Sequence, residues 1–266
     1  MPVLHSVQMS PVWEDPKKGL EKAEIFVAKA ATNNGMLVAF PEQFATGWDP
    51  TSRKNLQARD GQIATTLSRL AKEYGIAVLG SFRERHSPLP RNTAMVFDSG
   101  GDEVAAYSKC HPFSPAGEEC WYGPGDNISV FTLGGVTFGI AICYDLRFSD
   151  IFAAYSRAGV DAVVVPSAWP GSRLEHWELF IRARAVEFQM YVAGVNTTGV
   201  TPVDTYLGGT MTANPWGKII SRAGEEETIV ASEIDPSLVL EVRSRFPVER
   251  DRRPELYLRL HEREKG

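Results

Sequence analysis

Short apolar runs that stop abruptly at a polar residue recur along this chain, and between them apolar residues fall three and four apart. That alternation admits few folds. "VLHSVQM" (3–9) reads as a strand, and Leu20, Ala23, Val27 and Ala30 then follow helical spacing up to an "NNG" stop (33–35). "MLVAFPE" (36–42) is the next apolar run. Ile63, Leu67, Leu70 and Tyr74 predict a second helix ended by Gly75, and "IAVLGSF" (76–82) the following strand. "NTAMVFD" and "EVAAYSK" flank an "SGGD" turn, and "SVFTL" and "VTFGIAIC" flank "GG", so both pairs predict hairpins. A helix over about 149–158, the strand "VDAVVVPSAW" (160–169), a helix marked by Leu179, Ala183, Val186 and Met190, and the strand "YVAGVN" come next. "GGTMTANPWGKIIS" and "TIVASEID" read as a closing meander. Helices alternating with strands, several of which arrive as hairpins, predict an α/β protein: two mixed β-sheets flanked by helices in a four-layer α-β-β-α sandwich. The rival is one open, doubly wound sheet.

No Pro/Gly/Ser-rich linker divides the chain, so residues 1–266 read as a single domain, with 247–266 as a charged tail placed either in solvent or across a partner subunit. The apolar share of 43% leaves enough for a large core. A net charge of -5 disfavours nucleic acid as a partner, because phosphate binding wants a basic face. No apolar run approaches the roughly 20 residues of a membrane span, and the first residues lack the basic and apolar regions of a signal peptide. Three cysteines, at 110, 120 and 143, form neither an even set nor a CxxC pair, which fits a reducing, cytoplasmic setting. The five histidines show no metal spacing and the glycine-rich pieces match no phosphate or dinucleotide loop, so no metal or cofactor is expected.

Three apolar runs end in residues that carry chemistry: Glu42 after "MLVAFP", Lys109 after "EVAAYS" and Cys143 after "VTFGIAI". The carboxyl ends of strands line the ligand crevice of α/β sheets. A carboxylate, an ammonium and a thiol there supply a base, an oxyanion partner and a nucleophile. Singly, a Glu or Lys at a strand end ordinarily meets water and a lone Cys ordinarily belongs to a core; the coincidence of three favours chemistry. Along the cysteine strand, Val136, Phe138, Ile140 and Ile142 share one face, while Thr137, Gly139, Ala141 and Cys143 share the other. That small-residue face fits either a pocket beside the thiol or tight packing. "YDLRFSD" then turns sharply, so the Tyr144 N–H is a candidate oxyanion donor, with Asp145 and Arg147 stiffening the turn.

"FPEQFATGW", "YSKCHPF" and "GIAICYDLRFSD" resemble, in order, the three motif blocks of the nitrilase (carbon–nitrogen hydrolase) superfamily, and "PSAWPGSRLEHWELFIRARAVEFQMYVAGVN" and "GGTMTANPWGKII" are similar to its later blocks. The likeness spans about residues 3–250. It implies an α-β-β-α sandwich that dimerises through helices. It also implies Glu42 as general base, Lys109 as stabiliser of the oxyanion and Cys143 as nucleophile, needing no cofactor. "GEECWYGPG" places Glu118, rather than Glu119, at the spacing of the family's second glutamate, which supports Lys109. The chain departs from the family's lysine block in the short "SPAG" loop, which bears on substrate choice. "ICYDLRF", "RARAVEFQMYVAGVN" and "VRSRFPVERDRR" look most like the ω-amidase branch, which cleaves monoamides of small dicarboxylic acids such as 2-oxoglutaramate or succinamate; deaminated-glutathione amidases and nitrilases are the alternatives. A carboxylated substrate needs a cationic anchor, and Arg147, Arg173, Arg182 and Arg184 are candidates, the last two better explained as fold salt bridges. Phe44, Tyr144 and Trp169 are candidate pocket walls. A thiol redox or binding protein using Cys143 with Cys110 or Cys120 is the reading from another class, distinguished by a reversible disulfide and no amide turnover.

Overall fold

The computed structural model describes residues 1–33 and 35–263. In chain order the elements are β1 (Val3–Gln8), α1 (Pro16–Thr32), β2 (Leu37–Ala39), α2 (Gln62–Tyr74), β3 (Ala77–Glu84), β4 (Arg91–Phe97), β5 (Glu103–Ser108), β6 (Val130–Leu133), β7 (Val136–Ile140), α3 (Ser149–Arg157), β8 (Ala162–Ser167), α4 (Leu174–Phe188), β9 (Tyr191–Asn196), β10 (Thr198–Val200), β11 (Thr205–Leu207), β12 (Met211–Ala213), β13 (Ile219–Arg222), β14 (Thr228–Glu233), α5 (Pro236–Arg245), α6 (Val248–Asp251) and α7 (Pro254–Arg263). One six-stranded sheet runs β14-β1-β2-β3-β4-β5 and the other β13-β12-β9-β8-β7-β6, with β10 and β11 as a separate ribbon. The centres are parallel (β1-β2-β3 and β7-β8-β9) and the flanks antiparallel, so both sheets are mixed.

Strand periodicity places the layers. In the first sheet Leu4, Leu37, Ala39, Ala77 and Leu79 point to the second sheet, while Val7, Val38, Val78 and Phe82 point to α1 and α2. In the second sheet Val136, Phe138 and Ile140 face inward, and the opposite face carries α3 and α4. The result is the expected four-layer sandwich. α1 begins as its sequence implies: Asp15 caps the Lys18 N–H and Pro16 occupies the first turn, while Leu20, Ala23, Val27 and Ala30 are buried. Asn34 of the "NNG" stop lies outside the described residues. α2 ends at Gly75, in the left-handed region at φ 64.

Three expectations are corrected, and one choice that the sequence leaves open is decided. The cysteine strand stops at Ile140, and Cys143–Arg147 form a short helical turn. Of the two readings of its small-residue face, tight packing holds: a Cβ at Gly139 would lie 2.6 Å from the Tyr155 ring of α3. On α4 the buried stripe is Trp177, Ile181, Arg184, Ala185 and Phe188, so Leu179 and Val186 are exposed at 61% and 51%. Apolar residues occupy two faces of that helix, and spacing alone finds a helix without choosing its buried side. Finally, the closing strands form no simple meander, because β14 crosses over to pair with β1.

Candidate active site

Glu42 follows β2 in a loop held from beneath by Arg83, which is 1% exposed. The Arg83 guanidinium donates to the Gln43 Oε1 (2.8 Å), the Gly47 carbonyl (2.7 Å) and Glu14 Oε1 (2.7 Å). Five donors in a rigid fork can satisfy a loop from one point. Lys109 directly follows β5, its N–H donating to the Asn92 carbonyl (2.9 Å) and its carbonyl accepting from Gly125 N (2.8 Å). Gly125 is required there, since a Cβ would overlap the Ser108 carbonyl. Glu118 is fully buried at the start of a helical turn beyond Gly117. Cys143 opens the turn after β7 with φ 47, the left-handed region that non-glycine residues adopt rarely and often at functional sites.

These four side chains meet. Lys109 Nζ donates to Glu42 Oε1 at 2.9 Å and to Glu118 Oε2 at 2.8 Å, with all three groups buried. Asn92 adds a donor to Glu42 Oε1 (2.7 Å), the Ala168 N–H binds Glu42 Oε2 (3.0 Å), and the Cys143 thiol lies near the same carboxylate. Glu118 also accepts from Trp48 Nε1 (3.2 Å) and the Phe113 N–H (2.6 Å). Every partner of Glu118 is a donor, as an ionised carboxylate requires. Burial pushes the Glu42 carboxyl up, Lys109 pulls it down and Glu118 adds to the rise. Burial alone would lower the Lys109 ammonium, yet the charges of Glu118 and Glu42 hold it above the ordinary lysine range. The Cys143 thiol is driven well up by burial and then by Glu42, against Lys109. The resting thiol is therefore protonated, with the Glu42 carboxylate near it.

Cys143 and Lys109 line a cavity of about 240 Å³ together with Trp48, Phe113, Tyr144, Ala168 and Trp169, with Val203 and Asp204 also on its lining. Tyr144 and Trp169 thus line the cavity. Phe44 does not: it stacks on Phe40 at 4.7 Å in the core under α2, and Trp48 takes the wall position. The side chain alternates inward within the same loop, which a motif string does not reveal. Arg147 and Arg173 both line the cavity. Arg147 lies over the Trp169 and Phe180 rings (4.9 and 5.1 Å) and Arg173 over Phe113 (5.6 Å), and among the described residues neither forms an ion pair with a carboxylate. Arg182 and Arg184 lie elsewhere. Arg182 is near Glu178, and Arg184 pairs with Glu187 while donating to the Leu146 and Arg147 carbonyls. Tyr144 is the second residue of its helical turn, whose first N–H groups have no acceptor within the helix. Glu119 is exposed. Asn92, Trp48 and Arg83 were not anticipated, for their only sequence signal is a polar or aromatic residue in an otherwise ordinary strand or loop. Among the described residues no group of three or more His, Cys, Asp or Glu side chains could hold a metal ion.

A sandwich of two mixed sheets with a thiol, a carboxylate and an ammonium at the strand ends defines a hydrolase of the α-β-β-α class. Residues 4–244 match the sequence model of that class's carbon–nitrogen hydrolases. The chain belongs to the carbon–nitrogen hydrolase family and is an enzyme of the nitrilase superfamily. It is 34% identical over 244 residues to a 2-oxoglutaramate amidase of Bacillus subtilis, covering 91% of this chain and 94% of that one. It is 32% identical to the omega-amidase NIT2 of Homo sapiens, covering 96% and 95%. Among solved structures, an amidase from Nesterenkonia sp. AN1 superposes with a TM-score of 0.88 at 24% identity, over 98% of this chain and all of that one. A Xanthomonas campestris CN-hydrolase superfamily protein with an arsenic adduct in its active site gives 0.88 at 25%, over 95% and 97%.

Proposed function

We propose that the protein hydrolyses the terminal amide of small dicarboxylic acid monoamides, such as 2-oxoglutaramate or succinamate, to carboxylic acid and ammonia. The observation that carries this reading is the Glu42–Lys109–Glu118 chain lying near the Cys143 thiol at a cavity that also holds two guanidiniums without carboxylate partners among the described residues. Glu42 takes the thiol proton as Cys143 Sγ attacks the amide carbon, and Lys109 Nζ and the Tyr144 N–H hold the oxyanion. Collapse breaks the C–N bond, Glu42 returns the proton to the departing ammonia, and a thioester remains. Glu42 then takes a proton from water, whose oxygen attacks the thioester; the acid leaves and the proton returns to the thiolate. Glu118 keeps Lys109 charged and fixed. Arg173 and Arg147 are suited to the distal carboxylate, since guanidinium and carboxylate pair in a bidentate fork. The names of the relatives, 2-oxoglutaramate amidase and omega-amidase, support the same class.

Ammonia release from succinamate and 2-oxoglutaramate, set against uncharged amides and nitriles, tests the reading. Activity is expected with the wild type and absent in Cys143→Ala, Glu42→Gln and Lys109→Ala. Arg173→Ala is expected to raise KM for succinamate by roughly tenfold or more, the worth of about 1.5–3 kcal/mol for a hydrogen bond to a charged group, and to leave propionamide unaffected. No turnover of any amide or nitrile by the wild type would defeat it.

Two further readings belong here. A homodimer is supported by an apolar band in which Leu179, Val186, Trp216 and Phe246 are exposed side by side with a groove along α4. A reducing, cytoplasmic setting is supported by three free cysteines; no helix of the described residues is long and apolar enough to cross a membrane.

A further inference from the structure

The nucleophile and its cation come from different sheets: Lys109 follows β5 of the first and Cys143 follows β7 of the second. Their separation is therefore not fixed by any strand ladder. One buried carboxylate spans the gap. Asp145, in the turn that Cys143 opens, is 0% exposed, and its Oδ2 accepts from the Tyr107 hydroxyl at 2.7 Å and from the Ile142 N–H at 2.9 Å. Its Oδ1 accepts from the His111 N–H at 2.9 Å and from His111 Nδ1 at 2.7 Å. An ionised carboxylate only accepts, so the ring proton sits on Nδ1. Tyr107 and His111 stand two residues either side of Lys109, and Ile142 directly precedes Cys143. The carboxylate thus binds both flanks of the cation to the residue before the nucleophile.

His111 extends the hold to the far end of the same turn. Its ring lies flat on Phe148, with centroids 3.8 Å apart and planes 8° from parallel, and Phe148 meets the Tyr144 ring edge-on at 5.1 Å. Cys143 sits between these anchors in its left-handed conformation, which persists only where surrounding contacts over-determine it. Neither Asp145 nor His111 is among the cavity walls, so neither is placed to touch substrate.

We propose that His111 and Asp145 are positioning residues: together they set the Lys109–Cys143 geometry and hold the thiol aimed at Glu42. The proposal rests on the amidase reading for its turnover arm, but not for its second arm, which reads the thiol alone. His111 is the residue to change, because its side chain is one-third exposed and Asp145 keeps three other donors without it. In His111→Ala, kcat on succinamate is expected to fall at least tenfold with KM within about twofold of wild type, and alkylation of Cys143 by iodoacetamide, followed by mass spectrometry, to slow in parallel. His111→Asn, whose amide N–H can replace the Nδ1 donor, is expected to recover most of both rates. Wild-type kcat and alkylation in His111→Ala would overturn the proposal. So would a change confined to KM, or failure of His111→Asn to recover either rate while melting at the same temperature as His111→Ala. If the wild type turns over no amide, the alkylation arm still decides, and the loss is charged to the amidase reading instead.

Discussion

Two carboxylates against one ammonium leave Glu42, Lys109 and Glu118 with one excess negative charge, and the total over these three and Cys143 is the same before and after the thiol proton moves to Glu42, which shifts that charge onto the sulfur. Burial makes a change in net charge costly, so transfer of the proton to Glu42, inside the cluster, is favoured over its loss to solvent. The direction of the Glu42 shift has a consequence in pH. A base with a raised pKa stays protonated to higher pH, so kcat/KM should fall as pH drops through a value above the usual 4.5 of a glutamate, with the apparent value belonging to the cluster. Glu118→Gln removes a charge that raises Glu42, so the acid limb should move to lower pH while kcat drops; a limb that stays in place would contradict the coupling. At this scale the sequence was informative where chemistry ends an apolar run: Glu42, Lys109 and Cys143 announce themselves because a polar residue breaks a buried pattern. Arg83 and Asn92 gave no such sign. Their roles arise from partners about 40 and 50 positions away, and no local pattern encodes that closeness.

Elements were legible in proportion to how much of their own stabilisation is local. α1 and α2 carry caps and spacing within their own residues, and the β4–β5 and β6–β7 hairpins carry their turns. The buried side of α4, the early end of β7 and the escape of β14 to the other sheet depend on tertiary neighbours, and there the reading failed. Gly139 shows how close those neighbours come. Gly139→Ala pushes a methyl into Tyr155, whose hydroxyl bonds the Ile140 N–H at 3.2 Å and also its carbonyl. Overpacking of this kind costs about 1–3 kcal/mol, so a lower melting temperature is expected in calorimetry. Gly125→Ala should cost a similar amount and also reduce kcat, because the same backbone holds Lys109. An unchanged melting temperature for both would mean that the strand and the turn yield more easily than their contacts suggest.

For the molecule as a whole, the arrangement of two sheets was readable from alternating elements, but the division of the site between them was not. Glu42 and Lys109 belong to the first sheet and Cys143 to the second. The proposed dimer also belongs at this scale. Val186→Glu places a charge in the exposed apolar band, so light scattering should show the wild type as a dimer and the variant as a monomer; a monomeric wild type would remove the proposal. The pairing of β14 with β1 has one further consequence, which concerns birth on the ribosome. The outer partner of β1 is made 220 to 230 residues after it (228 − 8 and 233 − 3), so at roughly 5–20 residues per second that edge waits on the order of 10–40 s for its cover. During that interval an apolar strand with unpaired amides is open to any other extended chain, which makes the nascent N-terminal half, rather than the finished enzyme, the form most in need of a chaperone.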